Sequence, residues 1–323
     1  MPLIALLLAG CAAAPGSGLF SAATLSPQAD SAAEPVYPTR LAALTLTPAP
    51  PTSLLTSTPA ASATPSPTPQ FTAAATATAC PFPRGHIARG QIVSAILTRT
   101  FDYRVYLPPC YDAQRAGGYP VLYFLHGQGM DDSAWHRFGA SETAGRLIAS
   151  GEAPPFLIVM PREDYYLEDM SQSNFKRALL GDLMPWIESN YATCPQRDCR
   201  AIGGLSRGAL WSLMVALENP LLFSAAGAHS LPNPPFSPYL LSLLWEAVPQ
   251  DKPLRLYIDI GEYDPLRPGA EEFQRRLESI HIPHEWRLNP GGHDDAYWMA
   301  HVEEYLRWYA AGWQQLERNE LGE

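Results

Sequence analysis

A serine between glycines, Gly204-Leu205-Ser206-Arg207-Gly208, lies between the apolar runs 201–205 and 209–217. A G-x-S-x-G pentapeptide that closes a strand and opens a helix holds its serine on a tight turn, with the hydroxyl at the helix N-terminus. The glycines tolerate the strained backbone and keep other side chains away from the hydroxyl. The chemistry implied is nucleophilic attack by an activated serine. That requires a base to take the proton and an acid to orient the base.

Both partners are present downstream. His293 lies in Pro290-Gly291-Gly292-His293-Asp294-Asp295, after the strand-like run 284–288. It is the expected general base, taking the Ser206 proton and returning it to the leaving alcohol. Asp264 lies in Gly261-Glu262-Tyr263-Asp264-Pro265-Leu266, after the run 254–260, and is the expected orienting acid. Glu262 and Asp259 are the alternatives; Asp259 falls within the strand and is expected to point into the structure. The order Ser, Asp, His is that of an α/β-hydrolase triad. An oxyanion site needs two backbone donors. The amide of Arg207 supplies one, and the amide of Gln128, in Leu125-His126-Gly127-Gln128-Gly129-Met130, is expected to supply the second. The His126 side chain reads as structural.

These groups need a scaffold that brings strand ends together. Residues 91–97 and 103–107 alternate as strands do, and 120–125 and 156–160 are short continuous apolar runs suited to buried parallel strands. Strands are also expected at 201–205, 223–228, 254–260 and 284–288, and helices at 142–149, 174–190, 209–217, 271–280 and 296–309. The helix 174–190 carries Pro185 and is expected to kink there. The alternation gives an α/β fold, a mostly parallel central sheet covered by helices on both faces. Catalytic groups in such sheets gather at the carboxyl ends of the strands. Trp135, Tyr165, Tyr166 and His229 follow strands and are candidate pocket walls, Trp135 having a core role as its alternative. No cofactor is expected. No metal is expected either, because the spacing of His293-Asp294-Asp295 matches no recognised site.

Composition divides the 323 residues into three parts. Residues 1–11 are an apolar run ending in Leu8-Ala9-Gly10-Cys11, which resembles a bacterial lipobox and implies lipidation at Cys11 and a membrane anchor. The run is too short to span a bilayer, and a plain secretory signal is the alternative. No Lys or Arg precedes it, which leaves the true start of the reading frame open. Residues 12–79 are rich in Ala, Thr, Ser and Pro, as in Thr64-Pro65-Ser66-Pro67-Thr68-Pro69, and read as a disordered tether. Residues 80–323 hold nearly all of the net charge of −10 and read as one catalytic domain. The acidity and the lack of a Lys/Arg cluster argue against nucleic acid as a partner. In an exported chain, Cys80, Cys110, Cys194 and Cys199 are expected to form disulfides. Cys194 and Cys199 flank a turn-like stretch, which leaves Cys80 with Cys110; buried reduced thiols are the alternative.

Four motifs together, Tyr106-Leu107-Pro108-Pro109, Leu125-His126-Gly127, Gly204-Leu205-Ser206-Arg207-Gly208 and Pro290-Gly291-Gly292-His293, resemble the esterase D-like α/β-hydrolases over residues 89–309. That group includes enterochelin esterases, feruloyl esterases and secreted mycolyltransferases. The resemblance implies a Ser206, Asp264, His293 triad with Gln128 and Arg207 as oxyanion donors. It also implies a small-molecule or polysaccharide ester substrate. Relatives often carry Met or Gln where this chain has Arg207, whose guanidinium either meets an anionic substrate or forms a surface ion pair. An extracytoplasmic serine esterase is the leading expectation. An acyltransferase using the same triad and a non-catalytic binding protein on the same scaffold are the alternatives. The residues carry no indication of oligomeric state.

Overall fold

Eight strands form one sheet in the order β1-β2-β4-β3-β5-β6-β7-β8. They are β1 (His86–Ser94), β2 (Arg99–Leu107), β3 (Val121–Leu125), β4 (Leu157–Pro161), β5 (Arg200–Leu205), β6 (Ala225–His229), β7 (Arg255–Gly261) and β8 (Glu285–Asn289). This computed structural model describes Cys80 and residues 83–164 and 168–321, with side chains to Gln314. The lipobox at Cys11, the segment 12–79, Tyr165 and Tyr166 lie outside the described residues. No helix among the described residues is long and apolar enough to cross a membrane.

β1 and β2 form an antiparallel hairpin, and β2 runs antiparallel to β4. From β4 to β8 every pairing is parallel. Parallel neighbours need crossovers, and helices supply them. These are α1 (Ala134–Arg137), α2 (Ala140–Ala149), α3 (Phe175–Ala178), α4 (Met184–Asn190), α5 (Arg207–Glu218), α6 (Pro238–Glu246), α7 (Arg267–Ser279) and α8 (Asp295–Leu321). Every residue of β3, β4, β5 and β6 is buried. Period-2 alternation sends Val121, Tyr123 and Leu125 into one core with Trp211, Leu241 and Phe273. It sends Leu122 and Phe124 into a second core with Leu147, Tyr305 and Trp313. Covering both faces makes these strands continuously apolar.

The departures from the expected elements have local causes. The hairpin lies earlier than 91–97 because the backbone turns at 95–98. The Asp182 carboxylate accepts from the Ile96 amide (3.1 Å) and the Ser94 hydroxyl accepts from the Leu97 amide (2.9 Å). The helix expected at 174–190 is α3, a π-helical turn (Leu179–Leu183), then α4. Pro185 lies inside this unbroken helical run, directly after the π turn: a proline ring clashes with the carbonyl four residues back and donates no N–H to it, and the wide turn falls where that bond is lost. α1 and α6 were not expected, and α8 continues to Leu321.

Of the three possible cysteine pairings the structure contains Cys80–Cys110 and Cys194–Cys199. The first closes a loop of 30 residues in sequence separation, the second one of only 5. Loop-closure entropy assigns about 3–4 kcal/mol to a loop of the first size and less to the second. Reduction is therefore expected to lower the melting temperature by roughly 5–15 °C. An unchanged melting curve, with four thiols titratable before reduction, would remove this expectation.

Candidate active site

The parallel register sets the strand ends on one edge. Leu125 pairs with Gly204, Leu205 with His229, and Gly261 with Asn289. The segments carrying Gln128, Ser206, Asp264 and His293 each leave the sheet from that edge.

Ser206 occupies the step between β5 and α5 with φ 54° and ψ −119°, which for a non-glycine residue costs about 1–3 kcal/mol. Its amide donates to the His229 carbonyl (2.8 Å), and its carbonyl accepts from the amides of Ala209 (3.0 Å) and Leu210 (3.2 Å). The elbow also needs close backbone approach. A Cβ at Gly204 would lie 2.5 Å from the Gly208 carbonyl oxygen, and one at Gly208 would lie 2.5 Å from that of Leu125. Both glycines are therefore required by contact across the turn.

The Ser206 hydroxyl donates to His293 Nε2 (3.0 Å), and His293 Nδ1–H donates to Asp264 Oδ2 (2.8 Å). This tautomer leaves the Nε2 lone pair facing the serine proton. Asp264 is buried, and its Oδ1 accepts from the Leu266 amide (2.8 Å). The β7 and β8 loops are joined by the Glu262 amide to the Asn289 carbonyl (2.8 Å) and the Tyr263 amide to the Gly291 carbonyl (2.9 Å). That pairing turns Asp264 inward and leaves Glu262 exposed. The His293 ring meets Trp298 edge-on (5.2 Å between centroids), and the Trp298 indole N–H donates to the Ser230 hydroxyl (3.0 Å).

The Gln128 and Arg207 amides have no acceptor among the described residues. Both belong to the segments around Ser206. A cleft of about 500 Å³ opens over Ser206 and His293, walled by Gly127, Gln128, Met130 and Trp298. A comparable cavity of about 540 Å³ between the start of β1 and α2 includes none of the three triad residues. Chemistry, not size, therefore marks the site.

Two expected pocket walls are core residues instead. Trp135 is 1% exposed, stacks on Phe124 (3.6 Å between centroids) and donates its indole N–H to the Leu125 carbonyl (2.9 Å). It supports the strand that precedes the Gln128 loop. His229 is fully buried; it contacts Asp259 Oδ1 through Nδ1 (2.7 Å) and stacks on Tyr305 (3.6 Å). Asp259 Oδ2 accepts from the hydroxyls of Tyr297 (2.6 Å) and Tyr305 (2.7 Å). The position of His229 on β6 points it at α8, so it serves the site only through its carbonyl. The Arg207 guanidinium forms the ion pair that was one of its two expectations, but buried instead of at the surface. It is 8% exposed and makes a bidentate pair with Glu163, itself 4% exposed. It faces neither substrate nor solvent. Glu163, Met130 and Trp298 were missed. Glu163 is 44 residues from its partner in sequence, and no spacing rule reaches that far.

Replacing Asp259 with Ala is expected to cost about 3–5 kcal/mol, because His229, Tyr297 and Tyr305 would lose their buried partner. A denaturant midpoint equal to that of the wild type would refute this.

The "Putative esterase" family model matches residues 94–309. Esterase MT1326 of Mycobacterium tuberculosis is 30% identical, with 56% of this chain and 50% of the relative covered. The chain thus spans about half the length of that relative. An endo-1,4-beta-xylanase/feruloyl esterase of Xylanibacter ruminicola is 32% identical over 39% of this chain and 19% of its own length. Among solved structures, a ferulic acid esterase superposes with TM-score 0.62 at 24% identity, covering 72% of this chain and 99% of that one. The S-formylglutathione hydrolase of Staphylococcus aureus gives 0.59 at 21%, covering 71% and 99%. These two likenesses confirm the α/β-hydrolase fold. The family match runs from the end of β1 into α8 and takes in every strand end that builds the site, so the chain belongs to this esterase family.

Proposed function

We propose that the chain is a serine ester hydrolase working through an acyl-enzyme on Ser206, outside the cytoplasm. The observation that carries this reading is the unbroken line from Ser206 Oγ through His293 to buried Asp264. Ser206 Oγ attacks the ester carbonyl carbon as its proton moves to His293 Nε2. The carbonyl oxygen becomes an oxyanion and accepts from the Arg207 and Gln128 amides. The intermediate collapses, the C–O bond to the alcohol breaks, and the alcohol leaves with the proton from His293. Water then attacks the acyl-enzyme and gives a proton to His293. The second intermediate releases the carboxylic acid and returns the proton to Ser206.

The substrate class follows from what walls the cleft. Met130 and Ala296 offer apolar surface, the exposed carboxylates of Asp294 and Asp295 line the same cleft, Trp298 backs it at only 2% exposed, and the Arg207 guanidinium beside the nucleophile is taken by Glu163. Such a wall suits a neutral acyl group better than an anionic one. Relatives named as feruloyl esterases support a hydroxycinnamoyl ester of a polysaccharide or small alcohol. The two disulfides and the lipobox-like Leu8-Ala9-Gly10-Cys11 support export and a lipid anchor at Cys11. The test is kcat/KM for a feruloyl sugar ester, an acetylated sugar, an aromatic siderophore ester and a short nitrophenyl ester. The feruloyl ester is expected to lead by about tenfold or more over the acetyl ester. Equal rates on these two would overturn the aromatic preference, and no turnover of any ester would overturn the hydrolase reading.

A further inference from the structure

We infer that Glu163 is a positioning residue that couples the two halves of the oxyanion site. The inference rests on the ester-hydrolase reading of Ser206. Glu163 follows β4 and reaches both donor segments, each by a different group. Its amide donates to His126 Nε2 (2.8 Å). A backbone N–H only donates, so Nε2 is the acceptor and the ring proton is on Nδ1. That Nδ1–H donates to the Gly127 carbonyl (2.8 Å), which also accepts from the Met130 amide (3.2 Å). The Gly127 carbonyl and the Gln128 amide share one planar trans peptide, so they point in opposite directions. Holding the carbonyl toward His126 turns the Gln128 N–H away from it. Burial lowers the His126 pKa, which keeps the ring neutral and this tautomer in place.

The Glu163 carboxylate holds the other half. Both of its oxygens accept from Arg207 Nε (3.0 Å each), and Oε1 also accepts from Nη2 (2.7 Å). Arg207 Nη2 donates further to the Glu168 carbonyl (3.0 Å). Arg207 is the first residue of α5, and its amide is the second oxyanion donor. A fork-shaped guanidinium bound to a carboxylate in a nearly dry site resists rotation. Gly208 brings the same helix turn against the Leu125 and His126 carbonyls, so the two donor segments already touch. Glu163 therefore fixes the separation of two amides that belong to different strands' loops.

The test is Glu163→Gln in the whole protein. This variant keeps the amide bond to His126 and replaces the bidentate charged pair by a neutral group. With a nitrophenyl ester, and rates normalised to fluorophosphonate-labelled sites, kcat is expected to fall roughly 10–100-fold with KM within about twofold. Affinity for an alkylboronic acid, whose tetrahedral adduct places a hydroxyl in the oxyanion site, is expected to fall by a similar factor. Glu163→Asp, which retains the carboxylate, is expected to recover part of both. A Glu163→Gln enzyme with wild-type kcat per labelled site, or with boronate affinity unchanged, overturns the inference and leaves the hydrolase reading standing. If the wild type neither labels nor turns over an ester, the hydrolase reading fails and this inference falls with it. Should Glu163→Gln not fold, the double variant Glu163→Leu with Arg207→Met removes both buried charges together and is held to the same two readouts.

Discussion

Ser206→Ala is expected to lower kcat on a nitrophenyl ester by about 10⁶-fold and to abolish fluorophosphonate labelling. Among the described residues the Ser206 hydroxyl makes one side-chain hydrogen bond, to His293 Nε2, and the turn that presents it is held by backbone bonds to His229, Ala209 and Leu210. Removing the oxygen therefore leaves the turn its own supports, and the melting temperature is expected to stay within about 2 °C of the wild type, the range of a small local change. The residual rate measures what the two amides and the cleft supply without a nucleophile. A variant that still labels at wild-type rate would place the reactive serine elsewhere and dismantle the whole assignment. A wild type that is folded but not labelled would bring forward a binding role for the same scaffold.

Asp264→Asn is the second large effect, a loss of about 10⁴-fold in kcat with the fold intact. The carboxylate accepts from His293 Nδ1–H and so sets which ring nitrogen faces Ser206. An amide in its place can present its NH₂ to that nitrogen and stabilise the opposite tautomer, in which Nε2 carries the proton and cannot take another. The effect should fall on kcat more than on KM, since substrate does not touch Asp264. Glu262→Gln is the control, because Glu262 is exposed and its side chain lies outside the triad. If Glu262→Gln loses activity while Asp264→Asn keeps it, the acid has been misassigned. Asp259 gives a third pattern: its loss strikes stability first, because it holds three buried partners behind the sheet.

The three acids show where sequence reasoning stops. Spacing placed Asp259 within one strand and Glu262 and Asp264 just beyond it. The choice was made by the bonds from Glu262 to Asn289 and from Tyr263 to Gly291, which join two loops distant in sequence. Neither bond involves a side chain, so residue type carries no trace of it. Trp135 took the core role that was its alternative, and His229 was misread for a related reason. When helices cover both faces of a sheet, strand residues are apolar on both sides, and the pattern does not reveal which side a residue takes. His229 turned toward α8, where Asp259 and Tyr305 complete a buried cluster.

The sequence by itself determined the alternation of strands and helices, the mostly parallel sheet and the serine on its strand-to-helix turn. These are local properties: an apolar run of a given length, a turn residue, a glycine where a backbone must pass close. It also determined that the elbow, Asp264, His293 and the Gln128 loop follow strands, and a parallel sheet then delivers them to one edge. Only the tertiary structure decided the side-chain partners. The Arg207 guanidinium reads from its neighbours as an exposed cation beside the nucleophile, yet it is buried against Glu163. A charge leaves water only where a partner and hydrogen bonds compensate it, and that partner comes from the segment after β4, 44 residues earlier in the chain. Packing between distant segments sets such pairs, and local residue patterns do not encode it.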